Sequence, residues 1–371
     1  MDLGLSEEQE LLKNAARDFL EKECPETLVR EMEDDEKGYS PDLWKKMAEQ
    51  GWQGLLIPEA NGGAGFGYLD LIILIEEFGR ALVPGPFIST QVGGVLPLLE
   101  GGTDQQKSYA LPKIASGEAI WTLAYTEPSA RFDTEGVALE VTEDGNDVVL
   151  NGTKLFIRDA NVADYFTVVG RTPGTKGDDG IQLVIVDAKT AGISQTQLKT
   201  IAADKQAEVK FENVRVPKAS IIPGGAATLK KIQRKATVLE CAYLVGLAQM
   251  DFEVSVQYAK DRIQFGRPIG SFQAIQHKAA DMVTDVDGAR FIMYRAAWSV
   301  DQDEADADIN VHMAKAWCSE ATRRVVAHGQ QIHGGIGFTK DYKIQLFFRR
   351  QKRSERQCSL RSPPKAEICV S

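Results

Sequence analysis

The chain has 371 residues, which is enough to bury a large core and predicts about two or three domains. Its net charge of −10 makes nucleic acid and anionic membrane surfaces unfavourable partners, and no apolar run reaches the length of a membrane span. Five cysteines without zinc-like spacing, and an N-terminal helical pattern without the apolar core of a signal peptide, predict reduced thiols in a cytoplasmic protein.

The first part of the chain, from residue 1 to about 120, is predicted to be helical. Ser6 begins a capped helix, because Gln9 follows at the capping-box position and apolar residues continue at helical spacing. The stretches SPDLWKKMAEQGW and YLDLIILIEEFGRAL continue this pattern, and PEANGGAGFG interrupts it as a loop.

The next block, from 121 to about 227, is predicted to be a β domain. Its apolar runs are rich in β-branched residues, and Asp144-Gly145 and Asn151-Gly152 are typical of hairpin turns. IQLVIVD and AEVKFENVRVP predict further strands, and the cluster Pro223-Gly224-Gly225 ends the block.

From about 228 to 371, long helical patterns return and predict a bundle. The pattern weakens after Arg350, and Pro363-Pro364 would block a helix at that point. We therefore expect no ordered C-terminal helix from about Gln351 onward.

A glycine-rich stretch, QQIHGGIGF, lies between two of these helical patterns. Glycine is unfavourable inside a helix, so Gly334, Gly335 and Gly337 require a reason. They indicate either a tight turn between helices or the close approach of a phosphate-bearing ligand to the backbone.

Four stretches occur in a characteristic order along the chain: LAYTEP, NGTKLFIRDA, DRIQFGRPIGSFQAIQH and QQIHGGIGF. They resemble the signature stretches of the acyl-CoA dehydrogenase family, over nearly the whole chain. The form EPSARFD looks more like the branch acting on dicarboxylic, aromatic-derived or steroid side-chain acyl-CoAs, such as the pimeloyl-CoA dehydrogenase small subunit. The resemblance implies an α+β multidomain fold, with an N-terminal helical domain, a middle β-barrel-like domain and a C-terminal four-helix bundle.

The resemblance also implies that the protein binds FAD. Tyr125 and Thr126 would meet the pyrimidine side of the flavin, and Phe156, Ile157 and Arg158 would lie along its ring. The diphosphate and adenine would be held by residues of a neighbouring subunit: Arg262, Phe265, Gln273, Gln331, Gly334 and Gly335.

The residues alone leave other interpretations open. Arg262 could be a solvated helix residue, and Phe156 on a strand could belong to the core. His333 could form a hydrogen bond near the cofactor or simply pack within the turn. No metal-ligand spacing links the histidines.

The reaction implied by the resemblance removes a proton α to an acyl-CoA thioester and needs a carboxylate base. The base position in the family's C-terminal loop falls near Cys358, which is not a carboxylate, and its alternative on the first long helix of the bundle falls near Ala236. Glu240 lies one turn further along, in an apolar setting, and is the candidate base. It could equally be a buried Glu paired with an Arg or Lys.

A third interpretation is that no base exists and that this chain is a non-catalytic partner subunit. The implied partners are an acyl-CoA substrate, an electron-transferring flavoprotein, and further subunits in a homo-oligomer or a hetero-oligomer with a homologous chain.

Overall fold

A computed structural model describes residues 4–356 of the chain. Cys358 and the predicted tail beyond residue 356 lie outside the described residues.

Helices form the first part of the described chain, as the sequence predicts. The capping box at Ser6 and Gln9 is confirmed, and Thr103 and Gln106 form a second one. The helices are α1 (Glu7–Glu23), α2 (Glu26–Asp34), α3 (Pro41–Glu49), α4 (Tyr68–Ala81), α5 (Phe87–Thr90), α6 (Leu96–Gly101) and α7 (Asp104–Ala115).

An eight-stranded sheet follows, in the order β6-β7-β3-β2-β4-β5-β8 with β1 paired to β4. Its inward-facing side chains, such as Val148, Phe166, Val184 and Phe211, form a separate core. The strands are β1 (Trp121–Ala124), β2 (Glu140–Asp144), β3 (Asp147–Arg158), β4 (Tyr165–Arg171), β5 (Ile181–Asp187), β6 (Ile193–Leu198), β7 (Gln206–Pro217) and β8 (Ile221–Ile222).

One of the two predicted hairpin turns is confirmed and the other is wrong. Gly145, with φ of +63°, lies in the turn between β2 and β3. Asn151-Gly152 lies inside β3, where the pairing with β7 shifts register. A Cβ atom at Gly152 would lie 2.9 Å from the Cα atom of Leu139, so this glycine permits a close approach of backbone rather than a turn.

Long helices form the remainder of the described chain. They are α8 (Gly225–Asp261), α9 (Gln273–Asp301), α10 (Ala307–His333) and α11 (Ile344–Arg356), with the two-residue strands β9 (Ile263–Gln264) and β10 (Arg267–Pro268) between α8 and α9. The predicted three-part fold, helical, β and helical, is therefore confirmed. Within residues 4–356, no helix is long and apolar enough to span a membrane.

The two helical parts pack closely through α4 and α8. A Cβ atom at Gly246 would lie 1.7 Å from the carbonyl oxygen of Glu76, and one at Gly79 would lie 2.0 Å from that of Tyr243. Such distances are possible only without side chains, so these glycines set the separation of the helices. The contact fixes the position of α8, which carries Glu240.

The predicted tail without ordered helix begins too early at about Gln351, because α11 continues to Arg356; the rest of that predicted segment lies outside the described residues. The last turns of α11 pack through polar residues: Gln351 and Ser354 are buried, and Lys315 of α10 donates a hydrogen bond of 2.8 Å to the carbonyl oxygen of Ser354. Apolar spacing alone does not reveal such packing.

Candidate active site

A cavity of about 620 Å³ lies between the helices and the sheet. Its volume is within the usual range for small-molecule sites. Residues from every part of the fold line it: Ile88 and Val92, Thr122 to Thr126 in part, Phe132, Phe156 to Arg158, Thr200 and Gln206, Ala236 and Glu240 of α8, and Lys352 and Arg353 of α11.

Phe156 enters this cavity because β3 is irregular at that point. The register with β7 shifts between Lys154 and Ile157, and Phe156 has a φ of +56°, which is unfavourable for a residue with a side chain. The distortion leaves the Phe156 side chain 53% exposed at the cavity, while Ile157 is buried in the sheet core. Phe156 is therefore not a core residue.

A buried ion pair that involves Lys154 of β3 supports the segment containing Tyr125 and Thr126. The ammonium group of Lys154 donates to a carboxylate oxygen of Glu127 at 2.6 Å and to the carbonyl oxygen of Tyr125 at 3.1 Å. Glu127 also accepts hydrogen bonds from the backbone amides of Ala138 and Leu139. Burial lowers the pKa of Lys154 to about 8, against the opposing effect of Glu127.

Glu240 lies at the cavity and is paired with Arg158. The Nη1 atom of Arg158 is 2.5 Å from Oε1 of Glu240, and both side chains are largely buried. The other carboxylate oxygen, Oε2, is buried and has no hydrogen-bond partner among the described residues. The structure thus confirms the interpretation of a buried Glu paired with an Arg, and it also places that Glu at the cavity.

Arg353 is a further charged residue at the cavity, which the sequence analysis did not single out. Its guanidinium lies 4.9 Å from the ring centre of Tyr243 and 2.9 Å from the hydroxyl of Ser354. Burial would lower the pKa of Arg353, but Tyr243, Asp204 and Glu240 reverse that effect and hold it above its usual value. The only sequence signal was the basic run that follows Phe348.

The remaining predicted site residues do not line this cavity. Gln331 and Gly334 line a second cavity of about 740 Å³, beside α10 and α11. Arg262, Phe265 and Gln273 are exposed near the β9–β10 hairpin, where Phe265 is 92% exposed. A Cβ atom at Gly335 would meet no described atom of the chain within 4 Å, so packing within one chain does not require glycine there.

His333 packs within its own chain. Its Nδ1 atom is 2.7 Å from the carbonyl oxygen of Gly329, and its ring stacks on Tyr258 with 4.3 Å between ring centres. Burial lowers the pKa of His333. Among the described residues, no group of three or more His, Cys, Asp or Glu side chains could hold a metal ion.

Comparison with known proteins assigns the chain to a family. It matches the acyl-CoA dehydrogenase N-terminal domain over residues 6–118, the middle domain over 122–214 and the C-terminal domain over 231–355. It is also 36% identical over 353 residues to a 3-(aryl)acrylate reductase from Clostridium sporogenes, covering 93% of each chain. The chain belongs to the acyl-CoA dehydrogenase family.

Two further relatives of this acyl-CoA dehydrogenase homologue are named as parts of protein complexes. The caffeyl-CoA reductase-Etf complex subunit CarC from Acetobacterium woodii is 33% identical over 355 residues, covering 93% of this chain and 92% of the relative. The solved ChsE4-ChsE5 complex from Mycobacterium tuberculosis has a chain that is 28% identical, with a TM-score of 0.88, covering 96% of this chain and 94% of that one.

Members of this family are flavoproteins, and the residues at the first cavity fit a flavin. Phe156 supplies an uncovered aromatic face, and Tyr125 and Thr126 bring backbone to the same cavity. Lys199, Lys352, Arg158 and Arg353 line this cavity, so its lining carries positive charge for an anionic cofactor or CoA thioester even though Arg158 is paired with Glu240. The arrangement can therefore hold a flat, anionic ligand beside the carboxylate of Glu240.

Proposed function

We propose that this protein is an FAD-dependent acyl-CoA dehydrogenase that converts an acyl-CoA thioester to its 2,3-enoyl form and passes electrons to an electron-transferring flavoprotein. One observation carries the proposal: the unpaired Oε2 atom of Glu240 lies buried at the same cavity as the exposed ring of Phe156. This observation supports the proposal, because the reaction needs a carboxylate base and an aromatic wall for the flavin at one cavity.

In this proposal the chain's own residues act on the substrate as follows. Glu240 takes the proton from the carbon α to the thioester, and the burial of the Glu240 side chain limits the access of water to that step. When bound, FAD supplies the acceptor for the hydride that leaves the β carbon.

The FAD-binding residues are divided between two copies of the chain. Tyr125, Thr126, Phe156 and Ile157 of one copy would hold the flavin. The diphosphate and adenine would be held by the exposed set Arg262, Phe265, Gln273, Gln331, Gly334 and Gly335 of a neighbouring copy or homologous subunit. The support is that Arg262, Phe265 and Gln273 face outward and that the glycine turn lines a different cavity.

A second candidate function is that of a non-catalytic subunit in a hetero-oligomeric acyl-CoA dehydrogenase. The observation that favours it is the ion pair itself, because a Glu240 bound to Arg158 could be purely structural. The ChsE4-ChsE5 complex shows that a close structural relative assembles with another protein.

Flavin bleaching by a panel of acyl-CoAs tests the proposal. The purified protein should be yellow, and a saturated acyl-CoA should bleach it, with Glu240→Gln slowing that reduction by roughly 10²- to 10⁴-fold because a general base contributes about that much. Two of the three relatives reported above are named reductases, so reoxidation of the reduced flavin by enoyl-CoAs should be followed in the same samples.

A matched control is Glu253→Gln, which removes a carboxylate of α8 that pairs with Arg80 away from the cavity. It should bleach at the wild-type rate. Near-normal reduction by Glu240→Gln would exclude Glu240 as the base, and a colourless protein that acquires FAD only with a partner would establish the second candidate.

A further inference from the structure

Glu240 meets a cation from a different domain. Arg158 ends β3 of the sheet, and its Nη1 atom is 2.5 Å from Oε1 of Glu240 on α8. Within residues 4–356, the buried Oε2 atom has no hydrogen-bond partner, and Glu240 is one of the residues that line the cavity. The guanidinium therefore occupies one carboxylate oxygen and leaves the other for a ligand.

We propose that Arg158 is a positioning residue for the base: by binding Oε1 of Glu240 it leaves Oε2 as the oxygen that takes the substrate proton. This inference rests on the proposed function and changes the role of Arg158, which the sequence analysis placed beside the flavin ring. Glu240 and Arg158 then form one functional unit, built across the interface between the sheet and the helical bundle.

The backbone around Arg158 is fixed, as a positioning residue requires. The hydroxyl of Thr122 donates a hydrogen bond of 2.7 Å to the carbonyl oxygen of Arg158. The next amide, that of Asp159, donates to the carbonyl oxygen of Lys205 at 2.8 Å. Both bonds hold the peptide group that follows Arg158, and Arg158 itself pairs with Gln206 of β7, so the guanidinium reaches Glu240 from a fixed strand end.

The other charged groups near this pair do not replace Arg158. Arg353 of α11 contacts the ring of Tyr243 and lies in the field of Asp204. The pKa of Asp204 is below its usual value, because Arg353 and hydrogen bonds from Gln206 and Thr200 outweigh its burial. Arg353 also interacts electrostatically with Glu240, but among the described residues it forms no ion pair with that carboxylate.

Three more groups complete the surroundings of the pair. Burial raises the pKa of Asp159, which favours its neutral form, and Ser89 donates a hydrogen bond to it. Lys199 and Lys352 lie at the cavity wall, and Lys352 contacts Glu355 at 3.3 Å. Of the groups described, Arg158 is the cation in direct contact with the Glu240 carboxylate.

The step affected is proton transfer alone. The Cα–H bond breaks, the proton bonds to Oε2 of Glu240, and the electron pair moves toward the thioester carbonyl. In D₂O the acid group exchanges with solvent and returns a deuteron, so no oxidant is needed. A thioester without β hydrogens can therefore report this step separately from flavin reduction.

The experiment measures deuterium incorporation into phenylacetyl-CoA, whose β carbon bears no hydrogen, by the holoenzyme in D₂O as a function of pH. Removing a neighbouring cation raises the pKa of a carboxylic acid by about 1–3 units. The acid limb is the part of the profile in which the exchange rate rises with pH. In Arg158→Gln this limb should therefore move to higher pH by at least about one unit. At a fixed pH near the start of the limb, the exchange rate should fall roughly tenfold or more. Arg158→Lys, which keeps the charge, should retain the wild-type limb.

Arg324→Gln is the matched control, because Arg324 pairs with Asp285 on the bundle surface and does not line the cavity. It should leave the profile unchanged. An unshifted acid limb in folded, FAD-containing Arg158→Gln, or the absence of wild-type exchange above the protein-free rate, would overturn the inference. Exchange that depends on Arg158 without bleaching by any acyl-CoA would instead contradict only the proposed dehydrogenation.

Discussion

Replacing Lys154 with Met tests whether the buried pair with Glu127 supports the site. Lys154 is fully buried and Glu127 nearly so, and their charged atoms are 2.6 Å apart. The variant Lys154→Met preserves the length of the side chain but leaves the Glu127 carboxylate with two backbone amides and no cation. Removing one partner of a buried pair costs about 3–5 kcal/mol, so the free energy of unfolding should fall by about that amount.

The assay is urea unfolding at pH 7, followed by tryptophan fluorescence, for a set of three variants. Lys154→Met combined with Glu127→Gln should recover more than half of the loss, because neither charge is then buried alone. Lys210→Met is the matched control: it removes a half-exposed lysine of β7, paired with Glu208, and should change stability by less than about 0.5 kcal/mol.

The pH dependence gives the same test a second readout. Because the pKa of Lys154 is about 8 in the folded protein and 10.5 ordinarily, the unfolded chain binds more protons between these values. This group should therefore make the wild-type protein more stable as pH rises from about 8, and Lys154→Met should lack that rise. The reasoning would be refuted if Lys154→Met lost no more stability than Lys210→Met.

Two further predictions concern α8 and the glycine turn. Asp251 is buried, and its Oδ2 atom has no hydrogen-bond partner among the described residues. Burial raises the pKa of Asp251 well above its usual value, so above about pH 4 the folded chain binds more protons than the unfolded chain. The free energy of unfolding should therefore fall as pH rises above about 4. Asp251→Asn should flatten the change in urea midpoint between pH 5 and 8, and equal slopes would contradict this. Gly335→Ala should retain the wild-type melting temperature, because a Cβ atom there meets no described atom of the chain within 4 Å. If the FAD of a neighbouring subunit approaches this turn, the same variant should bind FAD roughly tenfold more weakly or worse, which is about 1.4 kcal/mol. Unchanged FAD affinity in an equilibrium titration would contradict a shared site.

Local patterns in the sequence were sufficient to predict the order of helices and strands. The cap at Ser6 and the turn at Gly145 depend only on neighbouring residues, and both predictions are confirmed. The errors at Gly152 and Gln351 have a different cause, because both positions are determined by distant parts of the chain. Gly152 meets Leu139, and Gln351 is buried on a helix whose next turn binds Lys315.

The candidate site was predictable only in part for the same reason. Five residues at the first cavity were predicted through the resemblance, but their contacts were not: Tyr125, Thr126, Phe156, Ile157 and Arg158. Arg158 and Glu240 are 82 positions apart, and Lys154 and Glu127 are 27 apart. No period or spacing joins such residues, so the sequence could not show which cation each buried carboxylate would contact.

The charges around the cavity explain why its parts assemble together. Arg158 comes from the end of β3, Glu240 from α8, Arg353 from α11 and Asp204 from the loop before β7. Each of these groups would be costly to bury without a partner. Arg158 and Glu240 pair across two elements, and Asp204 accepts hydrogen bonds from Thr200 and Gln206 while it interacts electrostatically with Arg353 of α11. Docking of the sheet against the bundle therefore satisfies these charges together. Among the described residues, one oxygen of this cluster has no hydrogen-bond partner: Oε2 of Glu240, a residue that lines the cavity. A carboxylate left in this state by an otherwise satisfied cluster is suited to accept a proton from a bound substrate.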